Sequence, residues 1–276
     1  MKLRRATLLP SAKPLPRIKY KAVIAYDGTP YAGWQFQGNA LGIQQVVEEA
    51  LTWLNDGIFV RAYGSSRTDA GVHARGFVAH FHLAKDIPPK DVVRAINAHL
   101  PPSVRFMSAA KARDKFNAQF DAYGKEYRYH VYQAKIMPPH LAPYWTFCHR
   151  KLDVKAMQEA AAYFVGEHDF RSFAATASDR NMENTVRRVY SCDVKRAGHR
   201  YVIIVRGNGF LYKQVRSMAG FLIAVGKGRE SPEAVKYLLE HPAVRTARVE
   251  TAPACGLFLW KVFYRAPRGA KPKATP

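Results

Sequence analysis

Three short segments carry residue types that could do chemistry. The first is Tyr63-Gly64-Ser65-Ser66-Arg67-Thr68-Asp69-Ala70-Gly71-Val72-His73-Ala74. It is small, polar and interrupted by glycine, as suits a loop whose backbone approaches a ligand closely. Asp69 follows Arg67 by two residues, and a neighbouring guanidinium favours the charged form of a carboxylate. A positioned, charged Asp can act as nucleophile or base. An Asx-turn or helix cap is the other reading of the same residue. The second segment, Gly207-Asn208-Gly209-Phe210-Leu211-Tyr212-Lys213-Gln214-Val215-Arg216, turns at Asn-Gly out of a strand and into a helix. Lys213 and Arg216 project from the first turns, where they reach a phosphate, a carboxylate or only solvent. The third, Lys125-Glu126-Tyr127-Arg128-Tyr129-His130, places Tyr127 and Tyr129 on one strand face among basic residues. That pattern suits stacking on nucleobases, and it also suits an ordinary half-buried strand.

Other segments imitate sites and fail on spacing. Gly220 to Gly228 resembles a phosphate loop, but Gly228 stands where Ser or Thr is required. His80 and His82 share a strand face without Cys or carboxylate neighbours at ligand spacing, so no metal site is read there. No Gly-x-Gly-x-x-Gly follows a strand, and no carboxylates cluster for two-metal cleavage.

The elements that position these segments alternate in type. Strands are predicted over Ile18–Tyr26, Phe77–Leu83 and Val104–Ala109, and alternation around Tyr127, Tyr129 and Val131 marks a further strand. Helices are predicted where Ile43, Val46, Val47, Ala50, Leu51 and Leu54 recur at helical spacing, and over Asp91–Leu100. The second half repeats the order. It has a helix over Ala156–Val165, strands over Val186–Val194 and Tyr201–Arg206, and an apolar helix over Leu211–Val225 capped by Gly226. Ser231-Pro232-Glu233 opens another helix with Ser as N-cap, and Leu257–Tyr264 is a last strand. The expected fold is α+β, in two similar halves split near residues 110–125, with mainly antiparallel sheets. The expected divisions are a basic flexible arm over 1–17, halves over 18–120 and 121–265, and a basic tail over 266–276.

The 276 residues carry 43 Lys+Arg against 21 Asp+Glu, a formal charge of +22. Residues 1–26 and 265–276 hold eleven of the basic groups and no acid, so +11 remains on the body. A basic body favours a polyanionic partner, because each neutralised phosphate releases condensed counterions. Forty-eight per cent hydrophobic residues exclude a wholly disordered chain. No apolar run approaches the roughly 20 residues of a membrane span. Cys148, Cys192 and Cys255 are too few and too scattered for a disulfide framework, and a reducing, cytoplasmic setting is expected.

Arg67-Thr68-Asp69-Ala70-Gly71-Val72-His73-Ala74 resembles the signature of the TruA-type tRNA pseudouridine synthases. Four further segments agree in order. They are Tyr26 to Gln35, Phe164 to Phe173, Asn208 to Gly220, and Ala252 to Leu257. The resemblance covers roughly residues 18–264. It implies two ferredoxin-like (plait) halves around a central basic cleft. It implies Asp69 as the catalytic aspartate, Tyr127 packed on the target base, and Arg216 paired with the aspartate. Arg67, Lys213, Tyr31 and Gln35 are the implied substrate-binding residues. A homodimer gripping the anticodon arm of tRNA without cofactor is implied, acting on uridines 38, 39 and 40. Three departures stand out: Ser66 in place of Gly, Gln119 in place of Arg, and Gln214 in place of Met. The Gln119 change bears on tRNA affinity and target choice.

The chemistry so implied breaks the C1′–N1 bond of uridine and joins C1′ to C5. Nothing is oxidised and no group is added. The uracil must detach, turn and re-attach without escaping, which calls for a closed pocket, an aromatic platform and one carboxylate. Attack at C1′ and removal of the C2′ proton both remain open. A non-catalytic RNA-binding protein would explain the charge and aromatics equally, but not an acid inside a basic loop. An RNA methyltransferase would need a Gly-rich nucleotide site.

Overall fold

The computed structural model describes residues 17–175, 184–243 and 248–266; most of the basic arm and tail read from the sequence lies outside them. One ten-stranded sheet organises the chain.

The first half builds β1 (Ile18–Tyr26), α1 (Ile43–Leu54), β2 (Tyr63–Gly64), β3 (His73–Leu83), α2 (Pro89–His99) and β4 (Val104–Lys111). Alternation along β1 buries Tyr20, Ala22, Ile24 and Tyr26 on one face. β1 pairs antiparallel with β3, Tyr20 opposite Phe81, and with β4 on its other side. In α1 the helical period buries Ile43, Val47, Ala50 and Leu51. α2 opens on Pro89, whose missing N–H costs nothing in a first turn, with Asp91 against the positive end of the dipole.

The second half builds β5 (Gly124–Gln133), β6 (Thr146–Cys148), α3 (Val154–Tyr163), β7 (Gly166–Asp169), β8 (Val186–Ala197), β9 (Arg200–Gly207), α4 (Gln214–Gly226), α5 (Glu233–Glu240) and β10 (Leu257–Phe263). α3 begins two residues earlier than predicted because Asp153 caps it, accepting from the amides of Lys155 and Ala156 at 2.9 and 3.1 Å. α4 is buried along nearly its whole circumference, between α3, the sheet and Phe173. The expected cap at Gly226 is corrected. Gly226 is the last helical residue, pressed against Met157, and Gly228 takes the left-handed turn at φ +70°. The amides of Gly228 and Arg229 donate to Val225 O and Ala224 O at 2.8 and 2.9 Å, a Schellman closure. α5 likewise starts one residue late, with Pro232 rather than Ser231 at the cap.

The strands lie in the order β4-β1-β3-β10-β5-β9-β8-β7, with β2 on β3 and β6 on β5, and β10 is the seam. It runs parallel to β3, with Phe258 beside His73, and antiparallel to β5, with Leu259 opposite Tyr127. The sheet is therefore mixed though mostly antiparallel. One buried core runs through both halves, and the two expected sheets are a single one. No helix among the described residues is long and apolar enough to cross a membrane.

Candidate active site

The loop between β2 and β3 is held from beneath by the segment that follows β1. A Cβ on Gly28 would lie 2.1 Å from Val72 O, and one on Gly33 2.3 Å from Thr68 O, so only glycine lets these backbones meet. Trp34 N donates to Thr68 O at 3.2 Å, Gly71 N to Tyr31 O at 3.3 Å, and the buried Tyr26 and Thr68 hydroxyls join at 2.9 Å. His73 locks the far end. Its Nδ1 accepts from Gly28 N at 3.1 Å and its Nε2 bonds Pro143 O at 3.0 Å. Burial lowers the His73 pKa against the opposing pull of Asp27, and a neutral ring fits that acceptor–donor arrangement.

These braces leave Asp69 facing α4 across the halves. Arg216 Nη1 donates to Asp69 Oδ2 at 2.9 Å, with the side chains 14% and 21% exposed respectively. The guanidinium is fixed from behind, because Arg216 Nε donates to Ala252 O at 2.9 Å. Ala252 N returns a bond to Arg216 O at 3.1 Å. The turn into α4 puts Arg216 on this side. Lys213 sits at φ +58°, a left-handed conformation that costs an L-residue roughly 1–2 kcal/mol. Gln214 folds back to accept from Leu211 N at 2.8 Å. Asp69 Oδ1 has no hydrogen bond among the described residues.

A cavity of about 210 Å³ opens on this pair, walled by Ser66, Arg67, Tyr127, Phe210, Lys213 and Arg216 among others. Tyr127 packs edge-on to Phe210, with centroids 5.3 Å apart, and its hydroxyl lies 3.4 Å from Ser66 Oγ. Burial pushes the Tyr127 hydroxyl up to about 12, the Ser66 contact opposing and the Asp69 charge adding to the rise. At neutral pH it therefore keeps its proton.

The fold thus brings together Asp69, Tyr127, Arg216, Arg67 and Lys213, which are far apart in sequence. Gln35 lines an adjoining groove instead. Tyr31 does not line the cavity. Its side chain is buried, its hydroxyl meets Ser103 Oγ at 2.6 Å, and its contribution is the carbonyl that holds Gly71. Sequence reasoning did not single out Ser66, Phe210 or Ala252 as site residues. Phe210 follows the Asn-Gly turn and Ala252 opens a matched segment, which were the available signals.

A family model described as tRNA pseudouridine synthase matches residues 22–121 and 160–265 of this chain. The chain belongs to that family. This synthase is an isomerase that modifies RNA, and Asp69 and Arg216 fall inside the matched spans while Tyr127 falls between them. It is similar to proteins named tRNA pseudouridine synthase A. The one from Pelobacter propionicus is 46% identical over 244 residues, 88% of this chain and 98% of that one. The one from Syntrophotalea carbinolica is 41% identical, over 88% of this chain and 95% of the other. The one from Chlamydia trachomatis serovar A is 42% identical over 253 residues, 88% of this chain and 91% of its own.

Proposed function

We propose that this synthase converts uridine to pseudouridine at nucleotides 38, 39 and 40 in the anticodon arm of tRNA, without a cofactor. The reading rests chiefly on one observation: a carboxylate and a guanidinium meet inside a cavity beside a tyrosine ring. Arg216 occupies Oδ2, so Oδ1 is the oxygen that meets the ribose, whether it attacks C1′ or takes the C2′ proton. Tyr127 offers its ring to the detached uracil and limits its escape. The extruded nucleotide leaves its stack at a cost of a few kcal/mol. Contacts of Arg67, Lys125 and Lys213 with the remainder of the tRNA offset that cost.

The same proposal takes each half as a plait unit. The orders β4-β1-β3-β2 and β10-β5-β9-β8 place corresponding strands alike, and the helix pairs α1–α2 and α3–α4 pack together. The divisions at 18–120 and 121–265 follow, with β10 joining them. A cytoplasmic homodimer is part of the proposal. The test incubates purified protein with unmodified tRNA and no cofactor, then maps pseudouridine. Product confined to nucleotides 38–40 is expected; product elsewhere, or none, refutes the assignment.

A further inference from the structure

A second hollow, a groove of about 640 Å³, adjoins the active-site cavity and shares Ser66, Arg67 and Gln119 with it. Beside Tyr63, whose ring stacks on His80, two further aromatic rings line it while facing solvent, Phe36 at 50% and Phe120 at 74% exposure. An exposed ring forfeits the burial that normally stabilises it, and both rings are presented by fixed turns. Phe36 N donates to Gln44 Oε1 at 3.1 Å, and Phe120 N to Asn117 Oδ1 at 3.1 Å. The guanidinium groups of Arg61 and Arg67 line the groove, and no carboxylate does so among the described residues. The amide side chains of Gln35 and Gln119 complete the wall, neither hydrogen-bonded to another described residue.

Resting on the reading of this chain as a tRNA-modifying enzyme, we propose that the groove seats the base of a ribonucleotide adjoining the target uridine. Phe36 and Phe120 stack on that base, the two amides address its edge, and Arg67 at the junction meets the intervening phosphate. Three observations favour RNA as the occupant. The groove is continuous with the cavity that the target enters. It is cationic. Its exposed rings and amide edges are what unstacked bases bind. When one nucleotide is extruded, its neighbour loses a stacking partner, and the groove supplies a replacement.

The test uses anticodon stem-loop RNAs with 2-aminopurine placed immediately 5′ or immediately 3′ of a target uridine. They are bound to the Asp69→Asn protein so that no turnover intervenes. Quenching of one of the two RNAs is expected. Phe36→Ala with Phe120→Ala should remove most of the quench and weaken Kd about tenfold, the scale of losing one base–aromatic stack. Phe36→Tyr with Phe120→Tyr should restore both, which separates stacking from mere packing. No quench with either RNA, or an undiminished quench in the double-alanine variant, overturns the proposal. Quenching by a wild-type protein that makes no pseudouridine in these RNAs would remove the assignment to nucleotides 38–40 and leave the groove assignment standing.

Discussion

β5 carries two neighbouring residues that face opposite sides of the sheet, and each belongs to a different carboxylate–guanidinium arrangement. Tyr127 looks into the cavity where Arg216 meets Asp69. Glu126, beside it, faces away and is nearly buried, with Arg128 on Oε1 at 2.8 Å and Arg206 on Oε2 at 2.7 Å. Arg128 also lies over the Trp260 ring at 3.8 Å, which Arg75 approaches at 4.4 Å. The ion pairs are chemically alike, and their saturation differs. Both Glu126 oxygens are engaged, so that acid braces the sheet. One Asp69 oxygen has no hydrogen bond among the described residues and lies beside the partly enclosed cavity, as the proposed reaction requires. Burial would raise the Glu126 pKa, and hydrogen bonds from Arg206 and Arg128 outweigh it, holding the carboxyl below the usual range.

Substitutions at the two acids should therefore separate turnover from stability. The largest effect is expected from Asp69→Asn. Turnover should fall about 10⁴-fold in a pseudouridine-formation assay, while tRNA affinity in a filter-binding measurement stays within about threefold. Near-normal turnover would make Asp69 as structural as Glu126. Arg216→Leu comes next. It leaves the Asp69 charge unpartnered in a partly enclosed site, and kcat should drop roughly 100-fold. Arg216→Lys should recover only part of this, since an ammonium cannot serve Asp69 and Ala252 O with one planar fork.

Glu126→Gln should do the reverse. Unfolding free energy should fall by about 1–3 kcal/mol in denaturant titrations, with kcat within about threefold. Because the folded pKa of Glu126 is depressed, its stabilisation is complete above the unfolded value near 4.3 and is lost as pH falls through the folded one. Wild-type stability should consequently drop more steeply than that of the variant below about pH 4.3. The smallest effect is expected at the ring between the two acids. Tyr127→Phe keeps the aromatic platform and removes a hydroxyl that holds its proton at neutral pH, so kcat should fall about tenfold or less. A loss as deep as that of Asp69→Asn would move Tyr127 from platform to proton donor.

Local structure was legible where one physical signal dominated. Alternation gave β1 its ends, Ile18 and Tyr26, and helical spacing gave α1 Ile43 and Leu54. Boundaries drifted where backbone geometry competed with side-chain pattern. Leu211 continues the apolar stripe of α4, yet the left-handed turn at Lys213 delays the helix to Gln214. No residue type announces such a turn, because lysine seldom adopts it. The site's parts were readable as motifs, but their supports were not. Gly28 and Gly33 are needed only because a loop some forty residues away crosses them, and the Ala252 carbonyl matters only because it anchors a guanidinium on α4. The place of β10 was equally hidden. Its strand character is local, whereas its insertion between β3 and β5 depends on partners more than a hundred residues away from it.

That insertion ties competence to the order of synthesis. In the sheet order, everything through α5 leaves the acid on one flank and the arginine on the other, with the middle position still to be filled by β10. The stretch that fills the slot arrives with the carbonyl of Ala252 just ahead of it, so the same late event zips the flanks and seats the guanidinium. Contacts this distant along the chain form slowly. One strand thus both closes the sheet and brings the flanks that carry Asp69 and Arg216 to a common seam.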